Sequence, residues 1–163
     1  MKKLKIYLDT SIINFLFADD APEKRDVTRE FFSEYIRSGK YRIFISAVVV
    51  DEVSRTSDAV KRRKLLDIIE EYDLESLDID DNEEIRRMAE VYIVKGVIPL
   101  RKIEDALHVA ICTVKEMDVL LSWNYKHLAN INRELRILAA NLEEGYTHPF
   151  RMVTPMEVMD EDE

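Results

Sequence analysis

Asp9, Glu52 and Asp105 are acidic residues that each adjoin apolar sequence near an expected element boundary. Asp9 closes the apolar run KIYLD, Glu52 lies just beyond the run RIFIS, and Asp105 stands at the start of the most strongly periodic helix of the chain. Carboxylates brought close together repel unless something neutralises them. Mg²⁺ or Mn²⁺ does so with oxygen ligands, usually one or two carboxylates plus waters. A cation held there can activate water and stabilise a phosphodiester transition state. Each residue also has a plainer role. Asp9 can cap the next helix, Glu52 beside Asp51 can be a solvated helix residue, and Asp105 with Glu104 can complement the positive end of its helix.

Whether the three meet depends on the elements that carry them. Lys5 to Asp9 reads as a buried strand ending in a carboxylate, and in open α/β sheets ligands bind at that end. Thr10 or Ser11 can cap a short helix through Ile12, Ile13, Phe15, Leu16 and Phe17, which Asp19 to Pro22 breaks. A helix from about Glu23 to Arg37 places Val27, Phe31 and Tyr35 on one face, with Phe32 and Ile36 beside them. Arg42 to Ser46 is a second buried strand, and Ser46 caps a helix from Ala47 to Arg55. The next helix carries Lys61 to Lys64 and continues through Ile69. Leu74 to Ile79 reads as a short strand, and Asp80, Asp81 and Asn82 cap a helix with Ile85, Met88, Ala89, Tyr92 and Ile93 on one face.

From Lys102 onward, Ile103, Ala106, Leu107, Ala110, Ile111, Val114 and Met117 mark a buried stripe. Val119 to Ser122 is a third strong strand. Trp123 and Asn124 are expected to open a helix with Leu128, Ile131, Leu135, Leu138 and Leu142 on its apolar side. Arg151 to Val153 reads as a last short strand, followed by a terminal turn with Thr154 as cap and Pro155 at the first helical position. Strands alternating with helices predict an α/β fold, a parallel sheet covered on both faces. In such a sheet the strand ends and helix starts converge on one edge, so Asp9, Glu52 and Asp105 can share a cleft.

The composition fits that reading. The 163 residues suit one domain, 47% are hydrophobic, and 3 Gly with 4 Pro leave little room for long irregular loops. We expect a single domain over residues 1–159 and a solvated acidic tail over 160–163. No apolar run reaches spanning length and no signal-peptide pattern opens the chain. A single cysteine, Cys112, cannot pair within the chain, so a reducing, cytoplasmic setting is the simplest fit. The net charge of -9 argues against nucleic acid, but weakly for a metal-dependent nuclease, whose site must itself be acidic.

Four segments carry a family resemblance: YLDTSIINFL (7–16), FISAVVVDEV (44–53), KIEDALHVAIC (102–112) and LLSWNYKHLANI (120–131), joined by VTPMEV at 153–158. In this order they resemble a PIN domain, the fold of many single-domain RNases and of VapC-type toxins. The resemblance implies a three-layer α/β/α fold around a mainly parallel sheet, and Mg²⁺- or Mn²⁺-dependent cleavage of single-stranded RNA. It places the family's metal-site acids on Asp9, Glu52 and Asp105. Many PIN domains have a fourth acid after the strand that here ends LLSW, and this chain has Asn124 at the closest match. Asn124 is therefore read as assisting three carboxylates without adding charge. Thr10 or Ser11 can hydrogen-bond a metal-bound water or simply cap.

The resemblance also implies a toxin paired with an antitoxin protein, and a homodimer. The expected reaction is in-line attack of water on phosphorus, leaving a 3′-hydroxyl and a 5′-phosphate. His108, His127 and His148 are read as structural, with His108 facing outward or packed at a layer edge, and Cys112 as a small buried residue. Trp123 either stacks on a base or packs at the sheet edge. Lys61 to Lys64 either hold phosphates or form a solvated face. The alternatives are a catalytically weak PIN-fold module binding RNA or protein, and a phosphatase with Asp9 as nucleophile. The phosphatase reading lacks the usual second Asp, since Ser11 stands there.

Overall fold

The computed structural model describes residues 2–80 and 82–159. Asp81 in the expected cap and the acidic tail at 160–163 lie outside the described residues. Five strands, β1 (Lys5–Leu8), β2 (Arg42–Ser46), β3 (Glu75–Leu77), β4 (Val119–Leu121) and β5 (Arg151–Val153), form one sheet in the order β3-β2-β1-β4-β5. Every pairing is parallel, with Tyr7 level with Phe44 on one side and Leu120 on the other. The order reverses at β1, which makes the gap between the carboxyl ends of β1 and β4 the switch point where such sheets bind ligands. Ile6, Tyr7 and Leu8 are wholly buried, as a central strand covered on both faces requires. The edge strands β3 and β5 are only three residues long, which limits pairing with another chain.

Among the described residues seven α-helices connect the strands: α1 (Thr10–Phe15), α2 (Pro22–Glu30), α3 (Ala47–Ser54), α4 (Ala59–Glu71), α5 (Glu83–Val94), α6 (Ile103–Val114) and α7 (Ile131–Glu143). Right-handed crossovers put α1–α4 on one face and α5–α7 on the other. The helix packing groups the same way, with α3 meeting α6 across the layers. This is the three-layer α/β/α fold expected. Among the described residues no helix is long and apolar enough to cross a membrane.

Three local expectations need correction. The helix expected over 23–37 is α only to Glu30; Phe31–Ile36 continues as a wider π-helix. The extra residue per turn lets the neighbours Phe31 and Phe32 both point inward, packed edge to face at 6.2 Å. Ile103, expected in the buried stripe of α6, is 40% exposed at the first position of the helix.

The third correction concerns α7. It begins at Ile131, capped by Asn130 Oδ1 accepting from the Arg133 amide, and residues 123–130 form a hydrogen-bonded loop. Its buried residues are Glu134, Ile137, Ala140 and Asn141, while Ile131, Leu135 and Leu142 are exposed. The helix is turned by one residue, about 100°, from the leucine stripe. Polar anchors select this face. Arg151 on β5 donates to Glu134 at 2.5 Å. The Tyr92 hydroxyl donates to Asn141 at 2.5 Å, and Asn141 donates to Thr113 at 3.0 Å. Thr113 lies 2.8 Å from Tyr92, which closes a buried ring of three hydrogen bonds.

This packing predicts unequal costs along one helix. Asn141→Ala leaves buried partners unmatched and should cost about 1–3 kcal/mol. Leu135→Ala should stay within about 0.5 kcal/mol. Urea unfolding of both variants checks it, and the reverse ranking would mean that the leucine stripe is the buried face.

Candidate active site

The carboxyl ends of β1, β2 and β4 and the start of α6 supply the site. Asp9 follows β1 at the N-cap position of α1 and is 3% exposed. Its carboxylate does not cap the helix. Instead Oδ1 accepts from Ser11 Oγ and Oδ2 from Ser122 Oγ, each at 2.5 Å. The same two hydroxyls accept the backbone amides of Trp123 and Asn124, each at 2.9 Å. Asp9 thereby fixes the chain as it leaves β4.

Glu52 projects from α3. Its Oε1 accepts from Thr10 Oγ1 at 2.9 Å and from His108 Nε2 at 2.7 Å. His108 is buried, three residues beyond Asp105 on α6 and therefore on the same helix face. Its Nδ1 lies 2.7 Å from the Tyr7 hydroxyl, which lies 2.7 Å from Ser46 Oγ. Ser46 thus occupies the N-cap position of α3 without capping it with its side chain. Asn124 is aimed by its own loop: Oδ1 accepts from the His127 amide at 3.1 Å, which turns Nδ2 toward Asp105 Oδ2 at 3.4 Å.

Glu52, Asp105 and Asn124 line one cleft of about 380 Å³ with Arg101, Lys102 and Glu104. Asp9 lies outside that lining, buried and within the electrostatic reach of Asp105 and His108. Among the described residues no group of three or more His, Cys, Asp and Glu side chains has metal-site spacing as the side chains stand. The carboxylates are each turned onto neutral or cationic donors.

The charges respond to this crowding. Burial raises the Asp9 pKa, and Asp105 adds to it, against the pull of His108, Ser11 and Ser122. Burial also raises Asp105, with Glu52 and Glu104 adding, against His108 and Lys102. Burial works on Glu52 in the same direction, but its bonds to His108 and Thr10 outweigh it and Glu52 lies below the usual range. His108 is lowered by burial but raised overall by Glu52, Asp9 and Asp105. The donor set is carboxylate and amide oxygen, which suits a hard divalent cation, and raised buried acids are what such a cation would relieve.

The other candidates fall elsewhere. Trp123 is buried, donates to Thr28 Oγ1 at 2.8 Å and leans on Phe15, so it cannot stack on a base. His148 pairs with Asp118, at the opposite end of β4. Cys112 is buried. The sequence reading missed His108, Tyr7 and Ser122 as neighbours of the acids. The signal for His108 was its spacing of three from Asp105.

The sequence model of the family described as "PIN domain" matches residues 6–134. Among solved structures the chain is similar to the "Crystal structure of VapBC2 from Rickettsia felis bound to a DNA fragment from their promoter". The identity is 20%, the match covers 76% of this chain and 90% of that one, and the TM-score is 0.53. At that identity the likeness speaks for the fold alone. No curated protein matches.

Two outcomes follow from the geometry. The folded protein holds the Asp9 proton more tightly than the unfolded chain, so stability falls as pH rises through the window between the ordinary and the raised pKa. Without added divalent ion, Asp9→Asn should therefore melt above wild type at neutral pH, with the gap closing as the pH falls below that window. Melting curves from about pH 4 to about pH 8 test this, and a gap that ignores pH would remove the buried charge as its cause.

Asn124→Asp keeps the His127 bond but sets a carboxylate oxygen against Asp105. It should lower melting without metal and tighten Mn²⁺ binding. Calorimetric titration beside melting curves decides. A metal-free change within about 0.5 kcal/mol, as for a surface residue, together with unaltered Mn²⁺ affinity, takes Asn124 out of the site.

Proposed function

This chain belongs to the PIN-domain family, and on that footing we propose that it is a divalent-metal-dependent endoribonuclease of single-stranded RNA and the toxin of a toxin–antitoxin pair. One observation carries the reading. Glu52, Asp105 and Asn124 line one cleft at the switch point of the sheet, with Asp9 buried in the same electrostatic field. Asp9, Glu52 and Asp105 would hold one or two Mg²⁺ or Mn²⁺ ions. Such an ion, when bound, activates water and offsets the charge that develops on the phosphoryl oxygens.

The chain's own residues do the positioning. Ser11 and Ser122 hold the Asp9 carboxylate, and Thr10 and His108 hold Glu52. Asn124 donates to Asp105 and adds no negative charge where a phosphodiester must approach. Water adds to phosphorus opposite the leaving oxygen and the P–O3′ bond breaks. The 3′-oxygen takes up a proton, giving a 3′-hydroxyl and a 5′-phosphate. With serine hydroxyls on both Asp9 oxygens, the alternative of Asp9 as a nucleophile finds no support. The neighbour similar in fold is a VapBC2 complex, which supports extending the proposal to an antitoxin protein; a homodimer and action in the cytoplasm are proposed with it from the family resemblance.

Purified protein incubated with single-stranded and structured RNAs should cut single strands with Mg²⁺ or Mn²⁺ and not in EDTA. The ends should be 5′-phosphate. Asp9→Asn should lower the rate by more than the roughly 10–100-fold that loss of an outer partner of a metal ligand brings, with an unchanged circular-dichroism spectrum. RNA binding without cleavage in either ion would replace this reading with a binding module.

A further inference from the structure

We propose that Arg101, Lys102, Lys126 and Arg133 form a track for the phosphate backbone of single-stranded RNA, leading along the 123–130 loop into the acidic cleft. This deepens the nuclease reading and rests on it. A chain of net charge -9 repels nucleic acid as a whole, so binding needs cations gathered at one place.

Most arginines of the protein are already engaged. Arg55 pairs with Glu104, Arg25 with Asp19 and Asp26, Arg42 with Glu75, and Arg87 with Glu84 and Glu144. The side chains of Arg101, Lys102, Lys126 and Arg133 have no hydrogen-bond or ion-pair partner among the described residues. Arg101 and Lys102 line the cleft beside Glu52, Asp105 and Asn124.

Lys126 and Arg133 are brought to the same place by Asn130. Its side chain accepts from the Arg133 amide at 2.8 Å and donates to the Lys126 carbonyl at 3.2 Å. His127 joins this loop to Asn124. Its imidazole is pushed down by burial and then by the charges of Lys102, Arg133, Arg101 and Lys126, so the four cations lie within electrostatic reach of one ring.

The test measures binding of a short unstructured RNA to Asp9→Asn protein by fluorescence anisotropy across a salt series. Each lost phosphate contact lowers the slope of log affinity against log salt by roughly 0.7 for a single strand. The triple variant R101Q/K126Q/R133Q should therefore lower it by about 2. K61Q/R63Q/K64Q on α4 removes the same charge elsewhere and should leave the slope as it was. The double variant R101Q/K126Q changes only exposed side chains and should lower the slope by roughly 1.4 if Arg133 proves necessary for folding.

An unchanged slope in the first triple, or an equal fall in both triples, overturns the track. If wild type cuts RNA while the slope stays unchanged, the track alone fails. If the slope falls in a protein that cuts nothing, the track stands and the nuclease reading fails.

Discussion

A carboxylate buried at the end of the central strand governs this molecule. Asp9 keeps almost none of its surface in water and lies in the field of another carboxylate. Unpaired, such a group would be neutralised or expelled. The protein retains it with two serine hydroxyls, and those hydroxyls also take the amides of Trp123 and Asn124. One buried charge therefore dictates where β4 ends, how the following loop starts, and where the Asn124 amide points.

The second pole of the site obeys the same electrostatics with the opposite sign. Burial alone would lift Glu52 and depress His108. Their mutual hydrogen bond, with Thr10 on Glu52 and the charges of Asp9 and Asp105 on His108, reverses both, and a charge-assisted bond in a poorly solvated place is stronger than a neutral one. Tyr7 anchors the far side of the imidazole from β1, so the helix carrying Asp105 is tied to the strand carrying Asp9. Acids distant in sequence are held at fixed separations by neutral or cationic groups between them.

Much of this was legible from residue types. Short apolar runs ending in a carboxylate or a serine predicted β2 residue for residue and β1 apart from Asp9, which lies one residue past its end, and the alternation of strands with helices predicted the parallel sheet. The acids at those boundaries were legible for the same reason. The face of α7 was not. Its leucines form the more regular stripe, but the buried partners of Glu134 and Asn141 come from β5, α5 and α6, far off in sequence. His108 was misplaced because its partners, Tyr7 and Glu52, are likewise remote.

The strand order carries a consequence for the timing of synthesis. β1 leaves the ribosome before every other strand of the sheet, yet it takes the middle and waits for a neighbour that begins at Val119. Until β4 arrives, Asp9 lacks Ser122, and before α6 is made Glu52 lacks His108. Chains fold N-terminal parts first as they emerge, but pairings this remote close late. A chain made only as far as α3 thus holds Asp9 and Glu52 without their holders, and whatever the cleft does is withheld until α6 and β4 have been translated.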